Sequence, residues 1–556
     1  TSHTCVLLSF TVSFSPDIMR RIASAGCSFA ACLGGAWALT LEWPVTRLYL
    51  LLIFALWLVT AGSVAAGVDS PWGHWPAGRA LTAFLGGYVL LVGAVAVAAR
   101  HLARPVDAFA LHRNTARFNR IVTVARVLVP AWFAFGLFGP PGWGHMVLGW
   151  MRPWTELAIA HSGPEPAMLA LPALLVGTLP PLAAWVALWW AQYPADNAMR
   201  MQGLLHQLED DVPLHAPPSL RQQLAANLRL QVLFILLPVV LILAVRDLAL
   251  IAVGLAGVRL GQITAFDDWV LLPSAVLVYI FAPEILRRVL QTRPLPDSPL
   301  RRRLEAICRT QKLRYRDILL WRTQHSMGNA AVMGLFPPMR YILLSDLLLE
   351  SMTDQQIEAV FAHEVGHIVH RHMLWYVVFF AILVMFTAGP GAQLAQWMDR
   401  WAAARWSTGV AGGPRVLGVS YEHLRDLAAL ASLFGGVFVL FGYLSRRFER
   451  QADVFAARMV QSNWASAPEA PGGNGPAVGE FGAAVFAGAL HRVATVNNIP
   501  VGARSWCHGS IARRMKYIRE LAADPARTAA FDRFMSRLYV TMVVVLVICG
   551  ALAALA

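Results

Sequence analysis

Phe361-Ala362-His363-Glu364-Val365-Gly366-His367-Ile368-Val369-His370 is the stretch on which the reading of this chain turns. A helix rotates about 100° per residue, so positions four apart lie one above the other on a single face. His363 and His367 therefore aim two imidazoles at one point, the spacing that a tetrahedral cation such as zinc requires of a helix. Glu364 stands beside the first ring and reaches a water in the cation's open position without ligating the cation.

A catalytic zinc takes three protein ligands and keeps one position for water. The third ligand must come from another element, and Glu449 in Ser445-Arg446-Arg447-Phe448-Glu449-Arg450-Gln451-Ala452-Asp453 is the best candidate. Asp453, four residues on, shares its face and suits the far nitrogen of a ligating histidine. Both acids also fit a plain charged surface beside Arg446, Arg447 and Arg450; the need for a third ligand favours the metal reading. The chemistry would then be peptide hydrolysis, with Glu364 moving the proton of the attacking water.

Working outward, Thr353-Asp354-Gln355-Gln356 has the form of a capping box. It predicts a helix that carries the motif and runs straight into an apolar stretch at 373–390. His370 and His372 are assigned to the membrane interface. Upstream, a proline-rich link at 291–300 precedes a helix over Arg301–Lys312. Strands are expected at Asp317–Trp321, Asn329–Gly334 and Tyr341–Leu344, with a turn at Pro337-Pro338. Downstream, 465–479 reads as a loop, Glu480–Asn497 as an amphipathic helix and Ile511–Leu521 as a basic helix.

The chain has 556 residues, of which 57 % are hydrophobic and 14 % charged. Soluble domains carry about 25 % charge, so the composition is that of a membrane protein. Runs long enough to cross a bilayer fall at 48–66, 81–99, 121–138, 168–191, 230–245, 268–287, 373–390, 427–444 and 538–556. The segment 248–258 reads as a re-entrant or interfacial piece. The net charge of +14 is almost entirely arginine. Those arginines sit at the ends of apolar runs rather than on one face, which excludes a nucleic-acid surface. Arg100, Arg104, Arg113, Arg117 and Arg120 follow the second run, and Arg287, Arg288, Arg293 and Arg301-Arg302-Arg303 follow the sixth. By the positive-inside rule these loops, and the catalytic segments with them, face the cytoplasm. The loop 391–426 is the one poor fit. The six cysteines form no C-x-x-C pair, and Cys507 beside His508 does not read as a nucleophile.

His363-Glu364-Val365-Gly366-His367, with Phe448-Glu449-Arg450-Gln451-Ala452-Asp453 after an intervening span, resembles the M48 metallopeptidases, the group of Ste24 CAAX proteases and HtpX heat-shock proteases. The resemblance covers about 290–520 and implies one zinc ion per chain. It likens Asn329-Ala330 to the family's strand beside the cleft, which pairs with extended substrate. It matches His508 and Arg514 to a late His-Pro-x-x-x-x-Arg element whose histidine stabilises the oxyanion, and so places Arg514 among the substrate-binding residues. Gly509 stands where that element has proline.

The expected fold is mainly α, a polytopic membrane protein of about nine transmembrane helices with a small α+β zincin-like catalytic domain containing a short sheet. Its parts are a multi-span region at 1–228, a helix pair at 229–291, a peptidase domain at 292–530 interrupted by the spans 373–390 and 427–444, and a last helix at 538–556. The expected partners are protein or peptide substrates, membrane proteins among them, and the lipid bilayer. The expected location is a bacterial cytoplasmic membrane, with a role in quality control or processing. Three rivals stand. A site-2-type intramembrane protease would need an Asp-Gly ligand motif in a later span, which is not found. A signal-regulated sensor protease would have one dedicated substrate, and a catalytically dead scaffold would need no zinc.

Overall fold

The computed structural model describes 50–57 in part, 77–104, 108–138, 142–159, 169–209, 215–255, 266–405 apart from 326, 415–416, 419–420, 436–464, and 477–555 apart from 498 and 504. Most of the run 48–66, the first half of the run 427–444 and the loop 465–476 lie outside the described residues. The chain divides into two compact units, Thr1–Gln291 and Thr292–Ala556.

The first unit is helical. Ala77–Leu102, Ala108–Phe138 and Leu179–Glu209 pack about an aromatic core of Trp57, Phe84, Phe133 and Trp185, all buried. Two buried polar groups here tie distant helices together. Trp143 donates Nε1–H to the Gly177 carbonyl at 2.8 Å. Asp247, on Phe234–Leu255, accepts the N–H groups of Ala170 and Leu171 at the start of a helix 77 and 76 residues away. Residues 248–255 simply continue the Phe234–Leu255 helix instead of forming a re-entrant piece.

Among the described residues, four helices are long and apolar enough to cross a membrane: Leu81–Leu102, Arg117–Leu137, Leu220–Ala252 and Pro525–Leu555. Two bent pairs, Ala170–Gly177 with Leu179–Met201 and Asp354–Val369 with His372–Leu383, raise the count to six. The helix Phe266–Val289, with Pro273 and Pro283 inside it, covers the expected run 268–287 and is not counted among the four.

The second unit opens on a four-stranded sheet. Its strands are β1 (Thr292–Pro294), β2 (Asp317–Trp321), β3 (Ala330–Met333) and β4 (Tyr341–Ser345). The order is β1-β2-β4-β3, with β2 and β4 parallel and the outer pairs antiparallel. The helices used below are α1 (Pro299–Thr310), α2 (Asp346–Ser351), α3 (Asp354–Val369), α4 (His372–Phe386), α5 (Gly442–Trp464), α6 (Glu480–Val496), α7 (Ile511–Ala523) and α8 (Pro525–Leu555).

The capping box is present: Thr353 accepts from the Gln356 N–H while Gln356 reaches back to the Thr353 N–H. The helix it opens does not run straight on. It ends at Val369, Arg371 takes a φ of 54°, and α4 leaves at 45°. A left-handed residue satisfies helix-end carbonyls and turns the chain. Of the two arms only the second is a continuous apolar run, and it begins at His372. Fully buried Phe361, Phe448 and Phe486 join α3, α5 and α6, each side chain contributing about 1.5–3 kcal/mol by its removal from water.

Candidate metal centre

On α3 the buried positions Ala359, Phe361, Ala362 and Val365 fix the rotation of the helix. That rotation turns His363 and His367 towards α5. The Nε2 atoms of His363 and His367 lie 3.2 Å apart. Glu449 brings Oε2 to 3.6 Å from His363 Nε2 and Oε1 to 3.6 Å from His367 Nε2. Ligands held at about 2.0–2.1 Å in a tetrahedron stand about 3.3 Å from one another. The trio His363, His367 and Glu449 has that spacing and forms a group able to hold a metal ion. Two imidazoles and a carboxylate are the donor set zinc takes in hydrolytic sites, so the residues present fit the ion.

The close approach of α5 depends on small residues. A Cβ on Gly366 would meet Phe455 Cδ1 at 3.1 Å and Ala452 Cα at 3.2 Å. That contact lies one turn from Glu449 on α5 and one residue from His367 on α3, so it sets the separation across which the ligands meet.

Behind the ligands sits a buried charge pair. Asp453, wholly buried, places Oδ1 3.0 Å from His363 Nδ1. Arg514 from α7 donates Nε–H to Asp453 Oδ2 at 2.9 Å and an NH2 hydrogen to Oδ1 at 2.6 Å. A third contact runs to Glu449 Oε2 at 3.5 Å. Burial opposes the charge on Asp453, but Arg514 and His363 outweigh it and hold the carboxyl below its ordinary range. Glu449 is likewise held well below, where His508, Arg514 and His367 overcome burial. Arg514, expected among the substrate-binding residues, has its guanidinium engaged by these two acids.

Glu364 is part-buried beside the trio. Burial pushes its carboxyl up to about 7, against the opposing pull of His363. His508 sits exposed on a hairpin closed by reciprocal bonds between Ser505 and Gly509. Its Nδ1 lies 2.9 Å from Glu449 Oε1, and that carboxylate raises the imidazole above its usual value. Gly509 has a φ of 76°, a region closed to proline, whose ring holds φ near −65°.

Asn329 is tied to β4: its N–H donates to Ser345 Oγ at 2.8 Å and its carbonyl accepts the Ser345 N–H at 2.9 Å. Ala330 starts β3, whose one strand neighbour among the described residues is β4. The strand that resemblance assigns to substrate is therefore an edge strand, and α3 packs against it.

Three residues near the ligands carry no sequence expectation of this kind. Phe486 of α6 stacks on the His363 ring, centroids 6.1 Å apart. His372, expected at the membrane interface, is buried with its Nδ1 2.8 Å from His367 Nδ1. Gln451 meets the other side of the His372 ring at 2.9 Å. Helical spacing hides His372: five residues from His367 is about 140° round the axis, and only the bend at Arg371 brings it back.

Comparison with known proteins bears on the same region. Residues 294–470 match the profile of Peptidase family M48. The chain is 27 % identical over 190 residues to a CAAX prenyl protease 1 homolog of Arabidopsis thaliana, and 25 % identical over 189 residues to one of Oryza sativa subsp. japonica. Each match takes in 34 % of this chain and spans 42 % of the relative's length. Among solved structures it aligns with the crystal structure of S. mikatae Ste24p, with a TM-score of 0.36 and 15 % identity, over 80 % of this chain and 99 % of that one. Over residues 294–470 the chain is thus similar to Peptidase family M48, and it is similar also to the CAAX prenyl protease 1 homologs of two plants.

Proposed function

We propose that the second unit hydrolyses peptide bonds as a zinc-dependent endopeptidase. One observation carries the reading: two Nε2 atoms from one helix and a carboxylate from another converge within 3.2–3.6 Å, with Glu364 next to the first ligand. His363, His367 and Glu449 would hold a zinc ion, which when bound would supply Lewis acidity towards the scissile carbonyl and acidify water. Glu364 takes the proton of the attacking water and passes it to the leaving amine. Glu449 accepts the Nδ1–H of His508 and favours the protonated ring; in that form Nε2–H is left to donate to the tetrahedral oxyanion. Arg514 and Asp453 hold His363 in register, and Asn329 and Ala330 open the strand along which an extended chain pairs.

The finer topology belongs to the same proposal. Nine spans, with 1–228 as a multi-span region of unassigned role, put the peptidase at 292–530 on the cytoplasmic face of a bacterial cytoplasmic membrane. Backbone pairing gives affinity with little side-chain preference, which suits quality control or processing of membrane proteins. The names of the two plant relatives favour a second reading, cleavage of prenylated CAAX peptides, although no prenyl-binding feature is recognised in the sequence.

The full chain, purified in detergent, is assayed for zinc content and for cleavage of casein and of a farnesylated CAAX peptide. Wild type is expected to hold one zinc and to cleave casein. Glu364→Gln should retain the metal and lose activity by about 10²–10⁴-fold, the usual worth of a general base. No zinc, with equal behaviour of wild type and Glu364→Gln, would establish the dead scaffold instead.

A further inference from the structure

We infer that His372 is a positioning residue for the metal ligand His367, its own tautomer fixed by Gln451 and Tyr539. The inference rests on the metal reading above and extends it to residues on the membrane arms.

The argument is a count of protons. His367 turns Nε2 towards His363 and Glu449, so in the metal-binding state that nitrogen is bare and Nδ1 carries the hydrogen. Its Nδ1 lies 2.8 Å from His372 Nδ1. Two nitrogens at that distance need one donor and one acceptor. His367 donates, so His372 Nδ1 accepts, and the hydrogen of His372 sits on Nε2. That atom faces Gln451 Oε1 at 2.9 Å, and the same oxygen accepts the Tyr539 hydroxyl. Every link then has one direction: Nδ1–H of His367 to His372, Nε2–H of His372 to Gln451, O–H of Tyr539 to Gln451. The reverse order would place a hydrogen on His367 Nε2, the atom the metal needs.

Packing holds the relay in place. The His372 ring lies flat on Phe448, centroids 4.4 Å apart with 2° between planes. Trp375 stacks on Tyr539 at 4.3 Å, which joins α4 to α8. The two ligating histidines are thus backed differently, His363 by the anionic Asp453 of α5 and His367 by a neutral imidazole at the head of α4. A neutral partner orients the ring without adding a second negative charge behind the trio.

The test uses the full chain in detergent. Zinc affinity is read by competition with a chromophoric chelator, and ligand geometry by the visible absorption of the cobalt-substituted protein. His372→Phe keeps the stack on Phe448 and removes the acceptor; it should bind zinc about 10–100-fold more weakly, as loss of such a partner does, and shift the cobalt bands. His372→Asn, whose Oδ1 stands near the former Nδ1, should recover most of the affinity. Gln451→Leu frees the His372 tautomer and should fall between wild type and His372→Phe, which keeps the question decidable if the latter does not fold.

Wild-type zinc affinity in folded His372→Phe, or in Gln451→Leu, would overturn the inference while the zinc-peptidase reading stands. A loss in His372→Asn equal to that in His372→Phe would do the same. A wild-type chain that binds no zinc removes the reading of the site, and this inference goes with it.

Discussion

Arg514 and Asp453 form a two-pronged pair, with contacts of 2.9 and 2.6 Å, directly behind a candidate metal ligand. The acid is wholly buried, and among the described residues its ion-pair contacts are with Arg514 and, 3.0 Å away, the ring of His363. Removing one member of such a pair leaves a stranded charge, which costs about 3–5 kcal/mol. Arg514→Leu should therefore lower the stability of the chain by that order, and weaken zinc binding because His363 loses its fixed partner. The double variant Arg514→Leu with Asp453→Leu should recover much of the stability and none of the affinity. Denaturant unfolding with zinc titration checks both. A double variant no more stable than the single would refute the stranded-charge account.

His508 and Glu449 give a pH dependence to the metal-free protein. Glu449 raises the imidazole of His508 above its ordinary value. A raised folded-state value stabilises at pH below the unfolded value, near 6.5, and that stability is lost as pH climbs through the folded value. Chelator-treated wild type should therefore lose thermal stability relative to His508→Gln as pH rises above about 6.5. Melting curves of both proteins across neutral pH measure it, and parallel curves would dismiss the contact.

Gly509 marks a departure from the resembled pattern, and the structure supplies its cause. Its φ of 76° and its N–H bond to the Ser505 carbonyl at 2.9 Å are both denied to proline. Gly509→Pro, although it restores the family's His-Pro pairing, should impair the enzyme. The hairpin opens, His508 leaves Glu449, and hydrolysis falls by about 10²–10³-fold if the oxyanion donor is lost, with zinc content unchanged. An active Gly509→Pro variant would show that the loop has another productive form.

How much of this was legible follows from what is local. The histidine pair, the Thr353–Gln356 box and the strands β2, β3 and β4 depend on neighbours within a few residues, and each lies within a residue or two of where the sequence puts it. Glu449 was legible by chemistry, because a two-histidine site wants a third ligand, and the structure places it 3.6 Å from both rings. His372 was not, since a left-handed residue at Arg371 redirects the chain and no spacing rule survives that bend. The grip of Arg514 on Asp453 was hidden for a different reason: 61 residues separate them, and only tertiary packing joins them.

Gly366 holds the two ligand-bearing helices together by having no side chain. The nearest atoms a Cβ would meet include the Ala452 backbone at 3.2 Å, which cannot swing aside. Gly366→Leu should push α5 outward and carry Glu449 with it, at a cost of about 1–3 kcal/mol for overpacking. Zinc affinity should fall more than in Gly366→Ala, where a shift of a few tenths of an ångström suffices. Equal affinities in the two variants would place the helix contact outside the metal site's control.

Val332 tests the edge strand. The Ser345 N–H bonds to the Asn329 carbonyl, and the register pairs Ala330 with Leu344, Ala331 with Leu343 and Val332 with Ile342. In an antiparallel ladder, bonded and non-bonded pairs alternate. Asn329, Ala331 and Met333 thus face β4, while Ala330 and Val332 turn their N–H and C=O groups to the open edge. Proline is tolerated where an edge N–H points away from the sheet. Val332→Pro should therefore leave β4 pairing and thermal stability nearly intact while deleting one donor to an incoming chain. A backbone hydrogen bond is worth about 0.5–1.5 kcal/mol, so kcat/KM on an extended peptide should drop roughly two- to tenfold, chiefly through KM. Ala331→Pro, which breaks a bond to β4, is the control and should destabilise the fold. Unchanged kinetics in Val332→Pro alongside a destabilised Ala331→Pro would show that substrate lies elsewhere than on β3.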